Sequence, residues 1–399
     1  MTILTRRLAA GMVAILWAGA ASGQALRPVA PMSPPPAVVG SPVSKSSGAE
    51  ADDFLTLLQK RYDTLFQKAG PAVVQVNAAV PTATGDTPYT WTGFFISKDG
   101  DILTTHAELL QEAEKTTKRV WVQINRIGYP AEIKGYDLVT NLAVLHVGTP
   151  LPKDFAVLDL ADSPGVPTIG SMLFAVTSKE GQLPGPSVGL LQGYNVNFGD
   201  VQLATLHLRT NIPDDGGEGG SPVLDLQGRL VGIMIWSLKD SRSSLVLPAR
   251  AALRVRDDLL ARGNVAYGRL GFASEQKSDA EAGVRVLVTG VDYGGPALDA
   301  GLKAGDVVRS LGGIAVNNED DLRQAKFFLR PGQDVALGVR RGSDDLALTL
   351  HVGEVLPDPA PVLPSAATLA KPANAVGSSN VIPGMTDPDL PPPPVLRSR

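Results

Sequence analysis

The sequence predicts a mainly β protein with two folded domains between low-complexity ends. Three observations carry that expectation. Short runs of alternating apolar side chains recur at regular spacing between residues 72 and 236. Gly, Asp and Asn turns separate them, and almost no helical periodicity interrupts them, as in an all-β barrel or sandwich. The 399 residues suffice for two domains of ordinary size, and a 44% hydrophobic content can fill their cores.

The chain opens with Arg6 and Arg7, an apolar run from Leu8 to Ala21 and small residues at Ala21-Ser22-Gly23. A charged start, a short apolar stretch and a small-residue exit make a secretory signal peptide over 1–23, so the expected location is outside the cytoplasm, the periplasm of a bacterium. The run is short for a membrane span. An uncleaved anchor is the alternative, and only in that case does the protein meet a membrane. Residues 24–50 are rich in Pro, Ala and Ser and read as a linker. Asp52 is placed to cap a helix ending near Lys68, with Phe54, Leu58, Tyr62 and Leu65 on one face. That face either packs on the following domain or joins copies of the chain.

Expected strands run Ala72–Val80, Thr92–Ser97, Ile102–Thr104, Val120–Ile124, Ala131–Lys134 and Leu142–Val147. A second set follows at Phe174–Thr177, Ser187–Leu191, Thr205–Leu208, Val223–Leu226 and Leu230–Trp236. Residues 249–262, with Leu253, Val255, Leu259 and Leu260, look helical and join this domain (51–248) to the next through a linker over 249–265.

Four ordered segments carry a family resemblance. They are Leu65 to Val74, Gly93 to Thr104, Asp137-Leu138-Val139-Thr140-Asn141-Leu142-Ala143-Val144-Leu145, and the loop Thr210 to Pro222 running into Asp225 to Ile233. In that order they resemble the Deg/HtrA family of trypsin-like serine proteases. The resemblance implies a chymotrypsin/trypsin-like double β-barrel followed by a PDZ domain.

It also implies where a catalytic triad would stand. A serine attacks a peptide carbonyl when an imidazole takes its proton, a carboxylate orients that imidazole, and backbone N–H groups face the oxyanion. The family's histidine falls three residues after Thr104, which is Ala107; His106 comes one residue early. On a continuing strand a one-residue shift turns a side chain to the opposite face, away from the cleft. The aspartate position is Asn141, whose amide brings no charge. A gapless match between Thr210 and Pro222 puts Gly219 at the serine position. The resemblance therefore implies a degenerate, pseudoprotease-like member with no intact triad. The alternative is an active endopeptidase using a rearranged His106–Ser221 pair, with Asp137 as a distant candidate for the acid. Pro222 after Ser221 fixes the local backbone and opposes that rearrangement. Otherwise Ser221 is a turn serine and His106 a strand-end residue.

Asp214, Asp215 and Glu218 make the glycine-rich loop acidic, either a cation-binding site or a solvated loop tip; without a following Gly-Lys-Ser/Thr it is no phosphate loop. Residues 266–354 resemble a PDZ domain, through Tyr267-Gly268-Arg269-Leu270-Gly271-Phe272 and the Gly294 to Val308 segment. A helix over Glu319–Leu329 and strands near Val335–Arg340 and Leu346–His351 complete it. The resemblance places a peptide-binding groove at Leu270, Gly271 and Phe272, with Leu322, Ala325 and Lys326 as the opposite wall; the other reading is a domain that only packs on its neighbour. Peptide capture there is strand addition with a terminal carboxylate held by backbone N–H groups. Residues 355–399, ending in Pro391-Pro392-Pro393-Pro394, form a Pro-rich tail expected to be disordered.

Composition narrows the remaining classes. A net charge of -4 without a dominant basic segment gives no sign of nucleic-acid binding. Zero cysteines exclude disulfides and Cys-ligated metals, and four histidines, at 106, 146, 207 and 351, make no His-rich metal site; no cofactor is expected. The expected function is an exported binding module, scaffold, chaperone-like or regulatory, whose partners are peptide C-termini or unfolded exported proteins, with homo-oligomers possible. A purely structural component is the third reading.

Overall fold

A computed structural model of the chain describes residues 45–354, except 83–84, 117–119, 152–153, 162, 179–182, 199–200, 214–218, 239–242 and 280–282. The expected signal peptide, the Pro-rich tail and the acidic residues Asp214, Asp215 and Glu218 lie outside the described residues. The chain divides into two compact units, Met1–Phe54 and Leu55–Arg399; both barrels and the C-terminal domain belong to the second.

The first helix, α1, spans Lys45–Ala69, so it begins before Asp52 and extends into the stretch read as linker. Its C-terminal half is the part that packs: Leu65 is buried, and Tyr62 stacks on Phe174 with ring centroids 5.9 Å apart. Leu55 and Leu57, a turn or two earlier, are 59% and 66% exposed.

Strands β1 (Val73–Thr82), β2 (Gly85–Phe95) and β3 (Asp101–Thr105) precede helix α2 (Ala107–Lys115), and β4 (Val120–Ile124), β5 (Ile127–Asp137) and β6 (Leu142–Val147) follow it. They close as a barrel in the order β1-β2-β3-β6-β5-β4, with β4 returning to β1. A second barrel contains β7 (Met172–Thr177), β8 (Gly185–Phe198), β9 (Val201–Thr210), β10 (Pro222–Leu224), β11 (Leu230–Leu238) and β12 (Ser243–Pro248), ordered β10-β11-β12-β9-β8-β7. Alternation builds both: β4 places Val120, Val122 and Ile124 inside and Trp121 and Gln123 partly outside. On β2, Phe95 enters the first barrel's core, whereas the adjacent Phe94 faces a core shared between barrels with Phe174, Ile233 and Leu259. The cleft between two such barrels is where a site can form.

Two elements of the barrels were not expected from the sequence. Helix α2 was hidden because its buried stripe, Ala107, Leu110 and Ala113, spans only two turns between strands. Strand β12 is buried at all six positions, so its sequence, Ser-Ser-Leu-Val-Leu-Pro, lacks alternation.

Helix α3 (Ala249–Arg262) leads to the C-terminal domain: β13 (Gly268–Arg269), β14 (Phe272–Asp279), β15 (Gly283–Val291), α4 (Pro296–Asp299), β16 (Val307–Leu311), β17 (Ile314–Ala315), α5 (Glu319–Phe327), β18 (Asp334–Arg341), β19 (Asp344–His351) and β20 (Gly353–Glu354). Its main sheet runs β14-β15-β16-β18-β19, leaving β14 at an edge. Asn318 caps α5 by accepting from the Asp321 N–H at 2.8 Å.

The domain is fastened to the barrels. The Arg254 guanidinium of α3 lies over the rings of Tyr267 and Phe327, 4.7 and 5.1 Å from their centroids. It donates to the carbonyls of Ala266 and Leu329 at 3.0 and 3.2 Å. Asp258, one turn on, pairs with Arg262 at 3.0 Å and Arg330 at 2.8 Å. The buried Asp258 carboxylate is thus paired across the junction with Arg330.

Candidate functional site

The cleft between the barrels is reached by β3, the start of α2, the β5–β6 turn and the loop entering β10. Strand β3 stops at Thr105, and His106 takes a left-handed conformation (φ 67, ψ 46) before α2 begins. That conformation corrects the expectation that His106 points away. The chain turns rather than continuing as a strand, and the imidazole swings over Gly219. A β-carbon built on Gly219 would lie 2.7 Å from His106 Cε1 and 3.0 Å from Thr105 Oγ1. The Trp91 ring flanks the imidazole at 5.0 Å between centroids, and the Thr105 hydroxyl lies 2.9 Å from Nδ1. Burial without a charged partner lowers the His106 pKa to about 4, so the ring is neutral at neutral pH.

The Gly219–Ser221 segment is pinned from both sides. Thr92 N–H donates to the Gly219 carbonyl at 3.0 Å, Gly220 N–H to the Met234 carbonyl at 2.7 Å, and Met234 N–H to the Ser221 carbonyl at 3.0 Å. Gly220 has φ 89, and a β-carbon there would sit 1.9 Å from the Thr92 carbonyl oxygen, so only glycine fits. The pinning turns Ser221 inward: it is fully buried, and its Oγ has no hydrogen-bond partner among the described residues.

Ala107 is the first residue of α2, and its N–H donates to Asn141 Oδ1 at 2.9 Å. Asn141, itself left-handed at φ 61, thereby satisfies one of the helix's free N–H groups. Asp137 is turned elsewhere: Oδ2 accepts from the Thr140 hydroxyl at 2.6 Å, the Thr140 N–H at 3.0 Å and the Tyr267 hydroxyl at 2.7 Å. Burial raises the pKa of its carboxyl. The cleft therefore gathers His106, Asn141 and Gly219, with Ala107 beside them, and leaves Asp137 at the domain junction. A cavity of about 660 Å³ opens elsewhere, between the end of α1 and β1 and β4, lined by Phe66, Gln75, Gln123 and Arg126.

In the C-terminal domain Gly271 has φ 77 and its carbonyl accepts from the Asp292 N–H at 2.9 Å, turning the chain so that Phe272 starts β14. Leu270 is buried in the domain core, as are Leu322 and Ala325, so these α5 residues support the groove from beneath. Lys326 reaches over the Phe272 ring, 6.0 Å from its centroid. The sequence reading missed Glu319, whose carboxylate accepts from the Ser274 hydroxyl of β14 at 2.8 Å. Its place two turns before Lys326 on the same helical face, at i and i+7, was the signal available.

Comparison with known proteins agrees with this layout. Residues 91–233 match the trypsin-like peptidase domain and residues 268–352 the PDZ domain. A putative serine protease HhoB from Synechocystis is 23% identical over 78% of this chain and 82% of its own. A probable periplasmic serine endoprotease DegP-like of Halomonas elongata is 30% identical over 66% of this chain, which spans only 56% of that relative's length. The counterpart from Chlamydia muridarum is 27% identical, with 66% of this chain and 54% of its own length covered. Among solved structures, the HtrA-type protease AlgW with a decapeptide superposes with a TM-score of 0.59 at 21% identity, covering 74% of this chain and 99% of that one. A serine endoprotease from Yersinia pestis gives 0.53 at 21% identity, over 74% and 98%.

Proposed function

We propose that this chain, similar to HtrA/DegP-type proteins in carrying a trypsin-like peptidase domain followed by a PDZ domain, is an exported pseudoprotease that binds peptide or protein C-termini as a scaffold, chaperone-like or regulatory factor. The observation carrying this reading is the imidazole of His106 facing the bare Cα of Gly219. A working triad needs a hydroxyl there and a carboxylate behind the ring. This cleft offers glycine, a threonine hydroxyl on Nδ1 and an asparagine committed to Ala107. The depressed His106 pKa supports the same conclusion, since a general base works best with a pKa near the operating pH.

The PDZ groove supports the binding half of the proposal. AlgW, of similar fold, has been solved with a decapeptide, and β14 lies at the edge of its sheet, where a peptide strand can add. Export follows the relatives named periplasmic, and the exposed Leu55 and Leu57 of α1 favour a homo-oligomer contact. In this plan 1–23 is the leader, 24–50 the linker, 51–248 the peptidase-like domain, 249–265 the connecting helix, 266–354 the PDZ domain and 355–399 the tail.

The second reading, an endopeptidase acting through Ser221, is favoured by the Ser221 hydroxyl, which lies two residues from Gly219 and has no hydrogen-bond partner among the described residues. Purified full-length protein incubated with casein decides between them. The pseudoprotease leaves casein intact and binds C-terminal peptides with an affinity that collapses in Gly271 or Phe272 variants. Cleavage that disappears in Ser221→Ala overturns it.

A further inference from the structure

The cleft between β14 and α5 carries two opposite charges, one near each end. At the Phe272 end stands Lys326, and among the described residues it makes no ion pair within 4.0 Å. Burial lowers the pKa of its ammonium, an effect that the attraction of Glu319 offsets only in part. Toward the other end, Glu319 bridges the cleft. Its Oε1 accepts from Ser274 at 2.8 Å, its backbone N–H donates to Gln276 Oε1 at 3.2 Å, and its Oε2 is shut off from solvent with no hydrogen-bond partner among the described residues. Arg323, between them on α5, is spent elsewhere: it pairs with Asp320 at 2.9 Å and donates to the Val196 carbonyl of β8 at 3.3 Å. Leu322 and Ala325 are closed beneath the surface.

A peptide added to the edge of β14 with its carboxylate at the Gly271–Phe272 turn presents alternate side chains to α5. Its last side chain falls beside Phe272 and Lys326, and the one two positions earlier falls beside Ser274 and Glu319. We propose that this groove selects peptide C-termini with an acidic last residue and a basic residue two positions before it. This rests on the reading of the domain as a C-terminal peptide binder. Arginine suits the inner position best, because its planar fork can engage both Glu319 oxygens, replacing the Ser274 hydroxyl and satisfying Oε2 together. A bulky apolar terminus would strand the Lys326 ammonium against hydrocarbon, which disfavours it.

The test is fluorescence anisotropy on the full-length protein with four labelled decapeptides, identical except for endings Arg-X-Asp, Ala-X-Asp, Arg-X-Val and Ala-X-Val. The Arg-X-Asp peptide is expected to bind at least about tenfold more tightly than Ala-X-Val, a gap that narrows as salt is raised. Lys326→Met removes the preference for Asp, and Glu319→Gln, which keeps size and the Ser274 contact, removes the preference for Arg. Equal binding of all four peptides to the native protein overturns the charge selection and leaves C-terminal capture standing. Binding of none, or undiminished binding of C-terminally amidated peptides, overturns capture itself. Should Lys326→Met fail to fold, an Arg preference that persists in Glu319→Gln overturns the proposal on its own.

Discussion

The Tyr267 hydroxyl donates to Asp137 at 2.7 Å, tying the end of the first barrel's β5 to the segment that enters the PDZ domain. Burial, reinforced by the Asp137 charge, pushes the Tyr267 pKa well above its ordinary value, so it remains a donor. Tyr267→Phe leaves a buried carboxylate oxygen with the Thr140 groups alone, at a cost of about 1–3 kcal/mol. Calorimetry is expected to show a lower midpoint, with the PDZ transition separating from that of the barrels. An unchanged single transition would mean that the Arg254–Asp258–Arg330 contacts alone hold the junction.

Placing a serine where the family's nucleophile stands is not expected to create a protease. In Gly219→Ser the new β-carbon meets His106 Cε1 at 2.7 Å and Thr105 Oγ1 at 3.0 Å, so the imidazole must move. Overpacking of this kind costs about 1–3 kcal/mol. The variant should melt earlier and leave casein uncut, because no carboxylate orients the ring; any cleavage by it contradicts the account of the cleft.

Ser221 offers a test with the opposite sign. Its buried hydroxyl has no partner among the described residues, and an unsatisfied buried polar group costs about 1–3 kcal/mol. Ser221→Ala keeps the β-carbon and removes that penalty, so chemical denaturation should show a gain in stability. A loss would mean that the hydroxyl has a partner after all.

Acid should weaken the fold before it titrates most carboxylates. Burial lowers the pKa of His207, on β9, to about 4; its Nδ1 lies 2.9 Å from the Thr205 carbonyl, and its Nε2 has no partner among the described residues. A depressed folded-state pKa means stability that is complete above the ordinary value near 6.5 and is lost as pH falls from there toward 4. For His207 the loss is on the order of 2–3 kcal/mol. His207→Gln should flatten the decline of the urea midpoint across that window, and an equally steep decline would assign it to other groups.

Much of the fold was legible because local chemistry and tertiary need coincided. Val120–Ile124 alternates, since one face of that strand meets the core, and the structure has the strand at those residues. Strand β12 did not alternate because both faces are covered, and α2 offered too short a stripe to stand out. In the groove, Leu322 and Ala325 were expected on the open wall, yet their apolar side chains go to the core and leave Glu319 and Lys326 to face the strand.

The order of motifs along the chain was enough, without coordinates, to say that a double barrel precedes a PDZ domain and that Gly219 offers no hydroxyl. Where His106 points was beyond it. One residue's backbone, left-handed at φ 67 because β3 ends and α2 begins there, decides whether the imidazole leaves the cleft or covers Gly219. Backbone direction at a single turn depends on what both flanking elements pack against, and only the assembled barrels supply that.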